Sequence, residues 1–166
     1  MGRKQIFYEE LDFICTNTRI LESGEHIQHG NVSVLLHSIA IAYYSHSVAR
    51  VFRIHVSEKE LIRGALLHDY FLYDWHIKEE KRPLHGPHHS KIALKNAKEI
   101  LDLTKVEEDI ISKHMFPLTP RPPKYKESIL VCVVDKICSV YEIFYRKPYN
   151  KLNQRILIKT GIYDKI

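Results

Sequence analysis

Five residues stand out because each interrupts an apolar pattern with a group able to bind metal or carry a proton. Asp135 follows six consecutive apolar residues, Ile129 to Val134, and is soon followed by Ile137 and Cys138. A helix apolar on nearly every side is expected to be buried. An ionised carboxylate in such a place is costly unless a cation or hydrogen bonds compensate it. His68 and Asp69 repeat the pattern, following Leu61, Ile62, Ala65, Leu66 and Leu67 and preceding Tyr70, Phe71 and Leu72. Adjacent helical residues point about 100° apart, so the doublet offers an imidazole nitrogen and a carboxylate oxygen from one turn. His37 shares a helical face with Ile41, Tyr44, Val48 and Val51, and His114 lies on the apolar side that Ile110 and Ile111 define.

Taken singly, each of these is more often a core residue hydrogen-bonded to its neighbours. Taken together, they bring imidazoles and carboxylates from several helices into one small core, where a divalent cation satisfies several at once. A mixed set with no thiolate favours Fe, Mn, Co, Ni or Zn at a catalytic site with open positions, over a closed structural zinc. A further cluster, His85-Gly86-Pro87-His88-His89, reads either as additional ligands or as a solvated loop. His46 and His55 have no apolar company and are expected at the surface.

The elements that must position these groups are helices. The first runs from about Gln5 to Ile20. A polar stretch, Glu22 to Asn31, separates it from an apolar-periodic segment between Val32 and Phe52. Ser57-Glu58-Lys59-Glu60 and Thr104-Lys105-Val106-Glu107 both have the capping-box pattern and open the helices that end in His68-Asp69 and His114. Pro83, Gly86 and Pro87 predict a loop after the doublet, with Ser90 capping the next helix. A proline-rich loop then leads into KESILVCVVDKICSVYEIFY, and the tail after Pro148 fits either a helix or a strand.

Bulk properties set the frame. The chain has 166 residues, 45% hydrophobic and 27% charged, which predicts a single globular domain over 1–166. No apolar run is long enough to span a bilayer, and MGRKQIFYEELDF has no long apolar core after its basic residues, so neither a membrane nor a secretory signal is expected. Cys15, Cys132 and Cys138 form no CxxC pair and read as small core hydrophobes of a reducing, cytoplasmic setting. The formal charge of +5 suits an anionic substrate. No basic recognition helix or zinc-finger spacing is present, so nucleic acid is not an expected partner.

The order H…HD…D, in HSIAIA, ALLHDYFLYDW and VVDKICS, resembles the HD superfamily of metal-dependent phosphohydrolases, over about residues 30 to 145. The resemblance implies an all-α HD-domain helical bundle with its metal site buried between helices. It implies that His37, His68, Asp69 and Asp135 hold a first ion. It also implies that Asp69 bridges to a second ion held by His114 and by His89, for which His88 or His85 are substitutes. The reaction it implies is attack of a metal-activated water on a small phosphate ester, with nucleotides the favoured class. Cation candidates for the substrate are Arg63, one turn before His68, the loop bases Arg121, Lys124 and Lys126, and Lys136, which orients Asp135 or a phosphate. Asp74 is a candidate for proton transfer. Phe71 and Leu72 replace the Gly and Lys of the H-D-I-G-K signature, and no GYP follows His114, which argues against cyclic-di-GMP hydrolysis. A non-catalytic metal- or nucleotide-binding signalling module and a di-iron oxygenase are the alternatives. The sequence leaves the oligomeric state open.

Overall fold

The computed structural model describes residues 5–73, 85–145 and 149–160. Among these the architecture is all-α with one small hairpin. Helix α1 (Gln5–Asn17) is followed by a 3₁₀ turn (Ile20–Glu25) and the strands β1 (Ile27–His29) and β2 (Val32–Ser33). Then come α2 (Val34–Val51), α3 (Glu58–Leu67), α4 (His85–Ile100), α5 (Lys105–Lys113), α6 (Lys126–Phe144) and α7 (Asn150–Thr160). The undecided tail is thus helical over Asn150–Thr160. The polar stretch before α2 contains β1, which pairs antiparallel with β2 just after it and turns through Gly30, whose φ of +57° is left-handed and suits glycine.

Helix α2 packs on α3 and α6, α3 packs on α1 and α5, and α4 packs on α5. Leu35, Ile39, Ile41, Leu61, Ile62, Leu66, Leu67, Ile110 and Val131 form the fully buried centre. Gly64 allows α3 and α5 to approach closely, since a Cβ there would lie 2.5 Å from Ile110 Cδ1. No helix among the described residues is long and apolar enough to cross a membrane. Cys132 and Cys138 are buried, Cys15 is half-buried, and none is in a disulfide.

Several local expectations change. Thr104 and Glu107 form the reciprocal capping box, and Ser33 caps α2 by accepting from the Leu36 amide. Ser57 makes no side-chain cap; its own backbone N–H is taken by Glu127 of α6 at 2.8 Å, so a distant carboxylate replaces the local one. Helix α4 starts at His85 and contains Gly86, Pro87 and Ser90. Pro is tolerated there because first-turn amides have no intrahelical acceptor. Helix α6 is not buried on all sides: Ile129, Val133, Ile137, Val140 and Phe144 form an exposed stripe, with Phe144 78% exposed. Asp135 lies on the opposite, inward face. Likewise Val51 is exposed, so the face of α2 that holds His37 is buried only in its first half.

Candidate metal centre

The site forms where the ends of helices converge. His68 and His114 are the C-cap residues of α3 and α5. Carbonyls in the last turn of a helix have no intrahelical donor. His68 Nδ1–H donates to the Ala65 carbonyl at 2.7 Å, and His114 Nδ1–H donates to the Ile111 carbonyl at 2.9 Å. A carbonyl only accepts, so Nδ1 must carry the proton and Nε2 of each ring presents a lone pair. His37, in the first turn of α2, has its Nδ1 2.8 and 2.9 Å from the two carboxylate oxygens of Glu142. Its Nε2 also turns inward.

The three Nε2 atoms meet the carboxylates of Asp69 and Asp135. His37 Nε2 lies 3.2 Å from Asp135 Oδ1 and 3.8 Å from Asp69 Oδ2. His68 Nε2 lies 3.4 Å from Asp69 Oδ2 and 3.8 Å from Asp135 Oδ1. The other oxygen of Asp69 faces a second pair, with Oδ1 3.2 Å from His89 Nε2 and 3.5 Å from His114 Nε2. These two imidazole nitrogens are 2.8 Å apart. Every one of these side chains is nearly or fully buried. Yet His37 Nε2, His68 Nε2 and Asp69 Oδ1 have no hydrogen-bond partner. Buried polar atoms are rarely left so, and all three border the space enclosed by the clustered imidazoles and carboxylates, as ligand atoms for cations would. His37, His68 and Asp135, and likewise His68, Asp69 and His114, offer ligand atoms all within 4.8 Å of one another.

The electrostatics agree. Burial alone would raise the Asp69 pKa, but the surrounding His68, His89 and His114 hold it well below the usual carboxylate range. Burial opposes charge on Asp135 too, and His37 and His68 overrule it, bringing the pKa to about 2. Burial and the neighbouring His68 push His114 down to about 3, so it stays neutral and able to act as a ligand at physiological pH. Burial disfavours a charged His37, but Asp135 and Glu142 hold its pKa well above the ordinary value. A metal at Nε2 would therefore displace a proton there.

A hollow of about 370 Å³ opens over these groups, lined by Gln28, His29, Asp69, His89, His114, Met115, Leu118, Asp135, Lys136 and Ser139. A larger one, about 790 Å³, lies between α1 and the end of α2 beside Arg50 and Arg53, away from the clustered ligands; size alone does not mark the chemistry.

The HD domain family model matches residues 34–139, well over half of the chain. The chain is an HD-domain protein. No curated protein and no solved structure matches it. The span matched to the HD domain contains His37, His68, Asp69, His89, His114 and Asp135, the six residues that the fold brings together.

Other sequence-based candidates fall elsewhere in this HD-domain protein. Arg63 pairs with Glu10 of α1 and stacks over the Phe13 ring at 3.7 Å. Five positions before His68 is about 140° around the helix, which turns it away from the doublet. Lys136 does reach the hollow, but its ammonium donates to the carbonyls of His114 at 2.7 Å and Cys132 at 3.2 Å, not to Asp135. It holds the end of α5 in place. Arg121, Lys124 and Lys126 are exposed and none lines the hollow. Lys124 instead gives its backbone N–H to Asp109 and sets its ammonium 5.5 Å from the centroid of the Tyr125 ring. His46, expected at the surface, is buried, with Nε2 3.1 Å from Glu58, while His55 is exposed. Of the adjoining His88 and His89, it is His89 that meets Asp69. Asp74 and the side chain of His85 lie outside the described residues.

Sequence reasoning missed Gln28, His29 and Glu142. Gln28 Nε2 donates to Asp69 Oδ2 at 2.5 Å. His29 lines the hollow, its ring 5.8 Å from that of His37. Both stand on a three-residue strand, too short for periodicity to reveal. Glu142 had a usable signal: it lies seven positions after Asp135, two helical turns on the same face.

Proposed function

We propose that this HD-domain protein is a cytoplasmic metal-dependent phosphohydrolase acting on a small phosphate ester, with nucleotides the leading class. His37, His68, Asp69 and Asp135 would hold one divalent ion, and Asp69, His89 and His114 a second, with Asp69 bridging the two. The observation that carries this reading is the division of Asp69, whose Oδ2 faces His37 and His68 while Oδ1 faces His89 and His114. The nitrogen and oxygen donors suit Fe, Mn, Co, Ni or Zn. When bound, such an ion supplies a water acidic enough to attack phosphorus and neutralises charge on the phosphoryl oxygens.

The chain's own residues prepare the site for this work. Gln28 steadies Asp69, the Ala65 and Ile111 carbonyls fix the rings of His68 and His114, and Lys136 anchors the turn that carries His114. The hollow gives a phosphate room beside the ligands, with His29 and Ser139 as polar groups on its wall. The deciding experiment is elemental analysis of protein purified without a tag, followed by a panel of nucleotides, phosphomonoesters and phosphodiesters. Bound transition metal together with hydrolysis is expected, and both are lost in His68→Ala and Asp69→Ala while the helical circular dichroism remains. Metal without any hydrolysis would favour a binding module, iron with oxygen consumption an oxygenase, and full metal content in either variant would refute the ligand assignment.

A further inference from the structure

Glu142 and Tyr149 lie beyond the span matched to the HD domain, yet Glu142 reaches the proposed centre and Tyr149 reaches Glu142. Glu142 is 1% exposed, two turns after Asp135 on α6, and both of its oxygens are within hydrogen-bond distance of His37 Nδ1. Its Oε1 also accepts the Tyr149 hydroxyl at 2.8 Å, and Tyr149 stands at the start of α7. The backbone of the same turn is gripped from the hairpin, where a Cβ on Gly30 would lie 2.8 Å from the Glu142 carbonyl oxygen. A carboxylate can only accept, so at this spacing Nδ1 of His37 is the donor and Nε2 is the atom left facing Asp135 and Asp69. The other two histidines with defined tautomers, His68 and His114, use neutral backbone carbonyls for the same purpose. Of these three, His37 is the one whose acceptor is a carboxylate.

We propose that Glu142, braced by Tyr149, is a positioning residue that locks His37 with Nε2 directed into the site and thereby sets the affinity of the first divalent ion. The inference rests on the metal-dependent reading above and deepens it. A carboxylate behind a ligating imidazole makes the ring a stronger donor and fixes its orientation, and loss of such a partner costs about 10- to 100-fold in metal affinity. Tyr149 acts one step further out, so its removal costs less. The geometry thus ties α7 to the ion site through a chain of two hydrogen bonds.

The test is calorimetric titration of the metal-free 166-residue chain with Mn(II), Co(II) and Zn(II), for wild type, Glu142→Gln and Tyr149→Phe. Proton NMR of the zinc-loaded forms follows the downfield imidazole N–H signal of His37. Glu142→Gln should weaken binding about 10- to 100-fold and move that signal upfield, with helical circular dichroism unchanged. Tyr149→Phe should weaken binding by a smaller factor in the same direction. Wild-type affinity in a folded Glu142→Gln, or an unmoved His37 signal, would overturn the proposal while leaving the metal reading intact. Should Glu142→Gln fail to fold, Tyr149→Phe decides, and unchanged affinity there overturns it. Absence of any binding by wild type would instead remove the metal reading, and this inference with it.

Discussion

The buried ligand atoms make a quantitative prediction about stability. His37 Nε2, His68 Nε2 and Asp69 Oδ1 are buried without a well-formed hydrogen bond, and a buried polar group left wholly unsatisfied costs about 1–3 kcal/mol. Charged and polar neighbours 3.2–3.4 Å away offset part of that cost, and what remains is a sizeable share of what an ordinary domain has in reserve. An ion that satisfies these atoms binds the folded state alone, so at a free concentration 100 times its dissociation constant it stabilises by about 2.7 kcal/mol. For a chain of this size each kcal/mol moves the melting temperature by roughly 2–4 °C, giving an expected rise of about 5–11 °C. The assay is differential scanning calorimetry of protein stripped with chelator, then reloaded with Mn(II), Co(II), Ni(II) or Zn(II). Asp69→Asn is the control, because it removes the charge that faces both histidine pairs while keeping the shape of the side chain. Its melting temperature should scarcely respond to added metal. The reasoning fails if no ion shifts the wild type, or if Asp69→Asn shifts by the full amount.

Two further predictions concern the scaffold. Thr104→Ala breaks an observed capping box and should cost about 0.5–2 kcal/mol in urea unfolding. Ser57→Ala, at a position whose hydroxyl caps nothing, should cost less than about 0.5 kcal/mol, and equal losses would show that the two helix starts are wrongly distinguished. Asp109 is held below its ordinary value of 3.8 because, against burial, Lys113 and the Lys124 amide favour its charged form. With the folded pKa below the unfolded one, its contribution is present above about pH 4 and disappears as pH falls through the folded value. The stability gap between wild type and Asp109→Asn should therefore be wide at pH 6 and narrower at pH 3, and a gap that is the same at both would contradict the assignment.

The helices and five of the six clustered residues were legible in the sequence because a polar group on an apolar helical face is improbable without a compensating partner, while their reading as metal ligands came from the resemblance to the HD superfamily. His37, His68, Asp69, His114 and Asp135 each broke such a pattern, and the helices that carry them follow 3.6-residue periodicity. Capping chemistry was local enough to be read at Thr104, but at Ser57 the competing acceptor came from Glu127, a residue 70 positions away, which no local rule detects. Two cation candidates point otherwise than the sequence suggested, although Lys136 does line the hollow. Arg63 is near His68 in sequence but on another face, and Lys136 is turned back onto backbone carbonyls.

What only tertiary structure decided is which side chains share the interior of the site. The choice of His89 over its neighbour His88 depends on how the first turn of α4 is presented to Asp69. The roles of Gln28 and Glu142 depend on a short hairpin and the far end of α6 meeting around His37. The sequence by itself determined the helices, their buried faces and the polar residues on them, because those depend on periodicities within single elements. The tautomers, the two-sided use of Asp69 and the brace behind His37 required the packed chain, because hydrogen bonds act over about 3 Å and only packing brings residues from different helices that close.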